Sequence, residues 1–319
     1  MAFEVLKGLL LAWGALAVYF MNEGPLGAAL AAGFLAFGAW ALWLTRRRAA
    51  RVALAVALLG VAAWLLTLAP SHEREWRPEV AVMPRAFVDG DRVRITGVRN
   101  FDYRSQDDFT VRYQEREVRL SHLVALDFFL SYWRPGPVGH TFLSFVFDDA
   151  PPLTVSIETR PEVGETFDPL GSLFRKFELI YVVGEERDLV RVRTNYRDEE
   201  VYLYRLRTSA ENARRLFLVY LERINELADR AEFYHLLSNS CTINIVRYAN
   251  RLGRTGGFDP RHLLNGWSDR YLYDAGVLDP GLSFGELRAR AHINNAAHAA
   301  GDGADFSTRI RASAPVMAP

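Results

Sequence analysis

Cys241 is the only cysteine among 319 residues, and a lone thiol has no partner for an internal disulfide. It is either inert packing or a reagent. It stands in Ser238-Asn239-Ser240-Cys241-Thr242, ahead of an amphipathic run over 241–252 that stops at Gly253, the residue type expected after a helix C-terminus. Asn239 or Ser240 would cap the helix that Cys241 begins. A thiol in a first turn sits at the positive end of the helix dipole among free N–H groups, which stabilise thiolate. The same N–H groups, with Asn239, Ser240 and Thr242 around them, are candidates to hold an oxyanion or a substrate. The bland alternative is a small buried side chain, a common place for free cysteine.

A thiolate nucleophile needs a base, and the chain has seven histidines. The best candidate is His140, which follows a Pro-Gly-Pro turn and opens a strand; an ordinary strand-end histidine is the alternative. The next strand strengthens the case. Leu143, Phe145 and Phe147 point one way, and Leu153, Val155 and Ile157 must share that apolar face. A one-residue slip would flip every side chain, so the shared face sets the register. It puts His140 opposite Glu158, or one pair away, on the face of Ser144, Thr154 and Ser156. A carboxylate beside an imidazole fixes its tautomer and stabilises the imidazolium. Glu158 paired with Arg160 at the surface is the competing reading. His235, on an expected helix over 232–237, is the rival base; His122 and His262 have less support.

Other chemistry finds no footing in the motifs. There is no HExxH, no CxxC and no paired-histidine spacing on one helix, so no metal site and no cofactor are expected. No Gly-rich phosphate loop and no GxSxG are present. Arg99-Asn100-Phe101-Asp102-Tyr103-Arg104-Ser105 mixes cations with aromatics. Its Arg99, Tyr103 and Arg104 either contact a polar headgroup or form an ion-pair network. Residues 185–188 read as a solvated turn, and 265–269 as a turn whose Trp267 faces the core or a membrane interface.

Three apolar runs, at 6–20, 26–44 and 52–68, precede all of this. Each is close to the ~20 residues that cross a hydrocarbon core, and a signal peptide would account for only one. The cluster Arg46-Arg47-Arg48 with Arg51 lies between the second and third runs. Positive loops stay cytoplasmic, which sends everything after about residue 70 outside. The chain is thus expected to be a multi-pass membrane protein whose globular part lies in the periplasm or outside the cell. Overall, 38 Lys and Arg balance 38 Asp and Glu, giving no electrostatic case for nucleic acid.

The coarse reading is a membrane region at 1–70, a tether at 71–90, a thiol domain at 91–290 and a disordered tail at 291–319, rich in Ala, Gly and Asn. Strands are expected at 91–98, 109–113, 140–147, 152–159, 177–183, 188–195 and 201–206. Helices are expected at 121–132, with Ser121 as N-cap, at 210–228 and at 241–252. The fold class is α+β with a mainly antiparallel sheet.

The ordered segments Val98–Ser105, Gly139-His140-Thr141, Ser156-Ile157-Glu158, Tyr181-Val182-Val183 and Asn239-Ser240-Cys241-Thr242 resemble the domain of the bacterial lipoprotein intramolecular transacylase (Lnb) family. The resemblance runs over roughly 76–288. It implies a papain-like, NlpC-like thiol fold with the nucleophile at a helix N-terminus. The order His, Glu, Cys is similar to permuted members such as lecithin:retinol acyltransferase. It further implies Cys241 as nucleophile, His140 as base and Glu158 as orienting residue. The implied substrate is a diacylglyceryl-modified lipoprotein or other membrane lipid, and the product a lyso-form lipoprotein. Family members often carry asparagine where this chain has Ser240 and His235, which weakens a carry-over of roles to those two positions and leaves the Cys–His pair untouched. The same thiol pair would also serve a cell-wall amidase or cysteine peptidase, and a non-enzymatic envelope domain is the third reading.

Overall fold

A computed structural model describes residues 1–22, 24–253 and 257–312 of the chain. Helices α1 (Ala2–Phe20), α2 (Gly24–Ala39) and α3 (Arg48–Thr67) come first. A π-helical turn, Trp40–Leu44, extends α2, so the apolar helical stretches measure 19, 21 and 20 residues. Their outward faces carry Leu9, Leu30, Val56 and Leu59. They approach closely through small residues: a Cβ on Gly14 would meet Phe34 and Leu58, and one on Gly38 would meet Leu11. The last residues of α1 and the end of α3 touch the same loop. Phe20 stacks on Phe174 at 5.6 Å between centroids, and Arg175 Nη1 donates to the carbonyls of Leu66 (3.2 Å) and Leu68 (3.1 Å).

The stretch expected as a tether runs along the globular part. His72 Nε2 lies 2.8 Å from the Leu227 carbonyl, the Arg77 N–H donates to Pro161, and Arg160 sits over the Trp76 ring at 4.2 Å. Strand β1 (Arg85–Asp89) already belongs to the sheet. Then follow β2 (Arg92–Arg99), the small hairpin β3 (Asp102–Tyr103) and β4 (Phe109–Thr110), and β5 (Tyr113–Arg119). The centre is built by β6 (Leu123–Tyr132), β7 (His140–Phe147), β8 (Leu153–Arg160) and β9 (Glu178–Glu185). After α4 (Glu186–Leu189) and a π-helical turn at Val192–Tyr196 comes the edge strand β10 (Glu200–Arg205). The order is β1-β2-β9-β8-β7-β6-β10, with β5 on β2. Among the described residues only β2 and β9 meet in parallel, at Arg99 and Gly184.

One face of the sheet is covered by α5 (Ala210–Asp229) and α6 (Cys241–Arg251). Leu143, Phe145, Phe147, Leu153, Val155 and Ile157 share that face with Phe217, Tyr220 and Ile224 of α5, as the apolar pattern required. Each such side chain contributes about 2 kcal/mol by leaving water. The C-terminal part adds α7 (Ser268–Asp274), α8 (Phe284–Ala291), α9 (Asn294–Ala300) and α10 (Phe306–Arg309). The last two cover the other face, where Ile293, Ala297, Phe306 and Ile310 pack on Phe129, Phe142 and Leu203.

Several expectations change. Residues 185–188, expected as a solvated turn, lead into α4 with Glu186 and Asp188 buried. Residues 123–132 form a strand, not a helix: Leu126, Phe128, Leu130 and Tyr132 point into one core and Phe129 into the other. A central strand covered on both faces reads as one apolar run, and a helical spacing can be picked out of it by chance. Residues 188–195 alternate like a strand yet coil, because Leu189, Val190 and Val192 feed three separate clusters around one turn. Residues 232–237 form a bridge and a turn, not a helix. The tail is ordered through residue 312; its alanines pack close, Asn294 exchanges hydrogen bonds with Val201 and Glu199, and Arg311 pairs with Asp127 and Glu186. Residues 313–319 lie outside the described residues.

Candidate active site

Helix α6 starts where the chain leaves an extended Ser240 (φ −98°, ψ 174°). The Ser240 carbonyl accepts the first helical bond, from Asn244 N at 3.0 Å, but its hydroxyl makes no cap bond. Asn239 does not cap either: its amide donates to the Phe233 carbonyl at 3.0 Å and its oxygen accepts from Asn244. The N–H groups of the first turn are thus not taken by either expected cap. Cys241 is buried there, at 2% exposure. Thr242 Oγ1, 2.8 Å from Thr141 Oγ1, locks the first turn of α6 to the start of β7.

His140 is the residue before that lock, and it lines the same cleft as Cys241. Burial pushes the thiol up. The His140 charge and hydrogen bond, helped by Thr141, more than reverse this and bring it from 9.0 down to about 6. The β7–β8 register runs Phe142 to Ser156, and extending it by two residues brings His140 level with Glu158. The ring's direct partner is Ser156, whose hydroxyl lies 2.7 Å from Nε2. Glu158 Oε1 stands 3.8 Å from the same nitrogen. With Nε2 so occupied, Nδ1 is the nitrogen left for sulfur.

Glu158 has a closer companion in Arg193, whose Nη2 donates to Oε1 at 2.7 Å. Burial alone would raise the Glu158 carboxyl; Arg193, then His140 and Arg99, hold it well below the usual carboxylate range. Arg193 lies over the Phe142 ring at 4.9 Å and 3.7 Å from Glu199.

Two further residues, Asn265 and Tyr234, line the cleft with Cys241. Asn265 Nδ2 donates toward Sγ at 3.7 Å, and its Oδ1 accepts from Gly139 N at 2.9 Å. One amide so joins the thiol to the turn that carries His140. Gly266 lets this happen: a Cβ there would strike the Gly136 carbonyl at 2.6 Å. Tyr234 is buried and lines the same cleft as Cys241; burial first, and then the charge of the sulfur, push its own pKa well above the ordinary phenol value. Neither residue was singled out for the site from sequence. The Asn-Gly-Trp turn at 265–267 was visible, but nothing in a linear sequence aims its amide at residue 241.

The cleft around these groups has a volume of about 820 Å³. His140, Glu158, Ser240 and Cys241 line it, together with the cations Arg193 and Arg197 and the apolar Trp133, Phe167, Leu237 and Leu264. The segment with Arg99, Tyr103 and Arg104 is not part of it. Arg99 is buried in a forked ion pair with Asp188 (2.7–3.1 Å), in a smaller neighbouring cavity behind Glu158. Tyr103 packs against Phe101, Phe109 and Tyr196, and Arg104 pairs with Asp108 at the surface. The rival bases go elsewhere too: His122 pairs with Asp148 at 2.6 Å at the far end of β7, His262 caps a 3₁₀ turn, and His235 bonds Ser238 at 3.0 Å.

Residues 109–265 match the family model described as the Lnb N-terminal periplasmic domain. No curated protein and no solved structure matches the chain. The matched span runs from β4 to Asn265, and so takes in His140, Glu158, Tyr234 and Cys241. Three apolar helices near the N-terminus followed by a domain of a periplasmic family fit an inner-membrane protein. Residues 109–265 are thus a domain of the Lnb N-terminal periplasmic family, carried behind three helices long and apolar enough to cross a membrane.

Proposed function

We propose that this chain is a multi-pass membrane thiol acyltransferase that moves an acyl chain from a lipid ester to an amine through a thioester on Cys241. Family membership points to lipoprotein processing, and the reading names the reaction: intramolecular transacylation at the N-terminus of a diacylglyceryl-modified lipoprotein, giving the lyso form. The observation that carries it is the meeting of a thiol lowered to about 6, an imidazole and a carboxylate in one cleft.

The Cys241 thiolate attacks the ester carbonyl carbon, and its oxygen becomes an oxyanion. The first-turn N–H groups of α6 and the Asn265 amide are its donors. Collapse breaks the C–O bond, and His140, as imidazolium, gives the leaving alcohol a proton. The acyl group now rests on sulfur. An amine attacks the thioester carbonyl, neutral His140 takes the amine's proton, and the C–S bond breaks to leave an amide and the resting pair. Glu158, Ser156 and Arg193 keep the ring oriented through both halves. A substrate held in the same bilayer as the enzyme meets this site at high effective concentration.

The test is mass spectrometry of intact protein and of lipoprotein N-termini. A thioester-linked acyl group on Cys241, together with N-acylated lyso-lipoprotein that disappears in Cys241→Ser, supports the reading. Unchanged lipoprotein N-termini in the Cys241→Ser strain would sink it.

A further inference from the structure

We infer that the apolar wall of the Cys241 cleft takes one acyl chain of a diacylglyceryl lipopeptide, delivered from the outer leaflet across a rim made by Phe167, Pro169 and Leu170. This rests on the acyl-transfer reading above.

The lining of the cleft is of two chemical kinds. His140, Glu158, Arg193, Arg197 and Glu199 are linked by ion pairs, while Trp133, Phe167, Leu237 and Leu264 supply apolar surface. Cys241 lines the same cleft as both groups. An ester whose carbonyl reaches the sulfur therefore has polar groups for its head and an apolar wall for its chain. Those wall residues remain open to water: Trp133 is 46% exposed, Phe167 45%, Leu237 52% and Leu264 38%. Large apolar side chains exposed together mark a binding or membrane surface. Phe167 bridges the wall, with its ring 6.5 Å from Trp133 and 6.0 Å from Phe177.

The position of the rim selects the occupant. Phe167, Pro169 and the half-exposed Leu170 lead directly into the loop that receives the ends of α1 and α3. Phe174 stacks on Phe20, and Arg175 holds the Leu66 and Leu68 carbonyls. Those helix ends are on the side opposite the arginine cluster at 46–51, which is the outer side by the charge rule. An apolar path thus runs from the lipid-facing helices over the rim to the sulfur. A chain lifted through water would weaken about fourfold for each exposed methylene; an apolar wall that begins at the membrane removes that penalty.

The experiment uses the full chain in lipid nanodiscs. One arm carries a synthetic S-diacylglyceryl-cysteine peptide with a diazirine in one acyl chain. The other carries phosphatidylglycerol with the same photoreactive chain. After irradiation, adducts are mapped by mass spectrometry. The lipopeptide probe is expected to label the wall around Leu237 and Leu264, and the phospholipid probe the lipid-facing sides of α1–α3 and the rim alone. Leu237→Asp with Leu264→Asp should lower wall labelling about tenfold or more, whereas Leu237→Met with Leu264→Met should retain it; melting temperature and helix content establish that both variants fold. Lipopeptide adducts confined to the membrane helices, equal wall labelling by both probes, or labelling indifferent to the aspartates would each overturn the inference. Labelling requires no turnover, so it can be read in Cys241→Ser protein, and a failure of the acyl-transfer chemistry is seen separately.

Discussion

Arg193 holds Glu158 at 2.7 Å while Glu158 stands 3.8 Å from His140, so the carboxylate steadies the ring from behind an ion pair and Ser156 touches it. The two partners of the imidazole should therefore fail differently. Ser156→Ala removes a hydrogen bond to a group that becomes charged, worth about 1.5 kcal/mol, and should slow acyl transfer about tenfold with little change in stability. Glu158→Gln leaves the buried Arg193 without its close counter-charge and should destabilise the domain by about 3 kcal/mol. Kinetics beside thermal melting of the two variants reads the split; equal melting temperatures would refute it.

Ionisation of Cys241 gives the second prediction. With the thiol lowered from 9.0 to about 6, alkylation by iodoacetamide should rise with a midpoint near pH 6. His140→Phe removes the cation and leaves burial, so the midpoint should move above the ordinary thiol value of about 8.5. The linkage has one sign. The folded thiol ionises lower than the unfolded one, so its contribution to stability is full above about pH 9 and is lost as pH falls toward 6. An alkylation midpoint that ignores His140 would mean the helix dipole alone sets the thiol.

Asn265 has two jobs that separate by substitution. Asn265→Ala leaves Gly139 N–H without its acceptor and should cost about 1–3 kcal/mol in stability. Asn265→Asp keeps an acceptor for Gly139 but aims a negative charge at the sulfur, 3.7 Å away in the native amide. It should preserve stability better than alanine and raise the alkylation midpoint. Both variants behaving alike would leave Asn265 a purely structural tie.

How much of this was legible is clear at the site itself. Alternation at 143–147 and 153–157 fixed a register, and the register brought His140 level with Glu158. The lone cysteine ahead of an amphipathic run marked the helix start and the residue proposed as nucleophile. Ser156 as direct partner was hidden because the same face offered a carboxylate two residues on. Arg193 was hidden because 188–195 alternates like a strand, and only the coil that serves three clusters turns Arg193 toward Glu158. Asn265 reaches the sulfur, and Tyr234 enters the cleft, through tertiary turns that carry no periodicity. The tail was misread for a different reason: a composition of alanine, glycine and asparagine says how little apolar area a segment has, not that its alanines fit a close-packed surface.

Arg311, from that tail, supplies the last prediction. It reaches Asp127 at 2.8 Å and Glu186 at 2.5 Å, both carboxylates fully buried. Burial would push the Glu186 carboxyl up, and Arg311, by charge and by hydrogen bonding, brings it below its ordinary 4.5. Arg311→Met leaves Glu186 with Ser144 and its burial, so the variant should lose about 3 kcal/mol or more near neutral pH. The pH dependence follows with opposite signs in the two proteins. In the native chain the folded carboxyl ionises below the unfolded one, and its contribution is present above about 4.5 and lost as pH falls. In the variant the folded carboxyl is raised, and its contribution is full below about 4.5 and lost as pH rises. The gap in melting temperature between the two should therefore be wide at pH 7 and narrow toward pH 4. A gap that stays constant with pH would disconnect Glu186 from Arg311, and no gap at pH 7 would return the tail to the disorder its composition suggests.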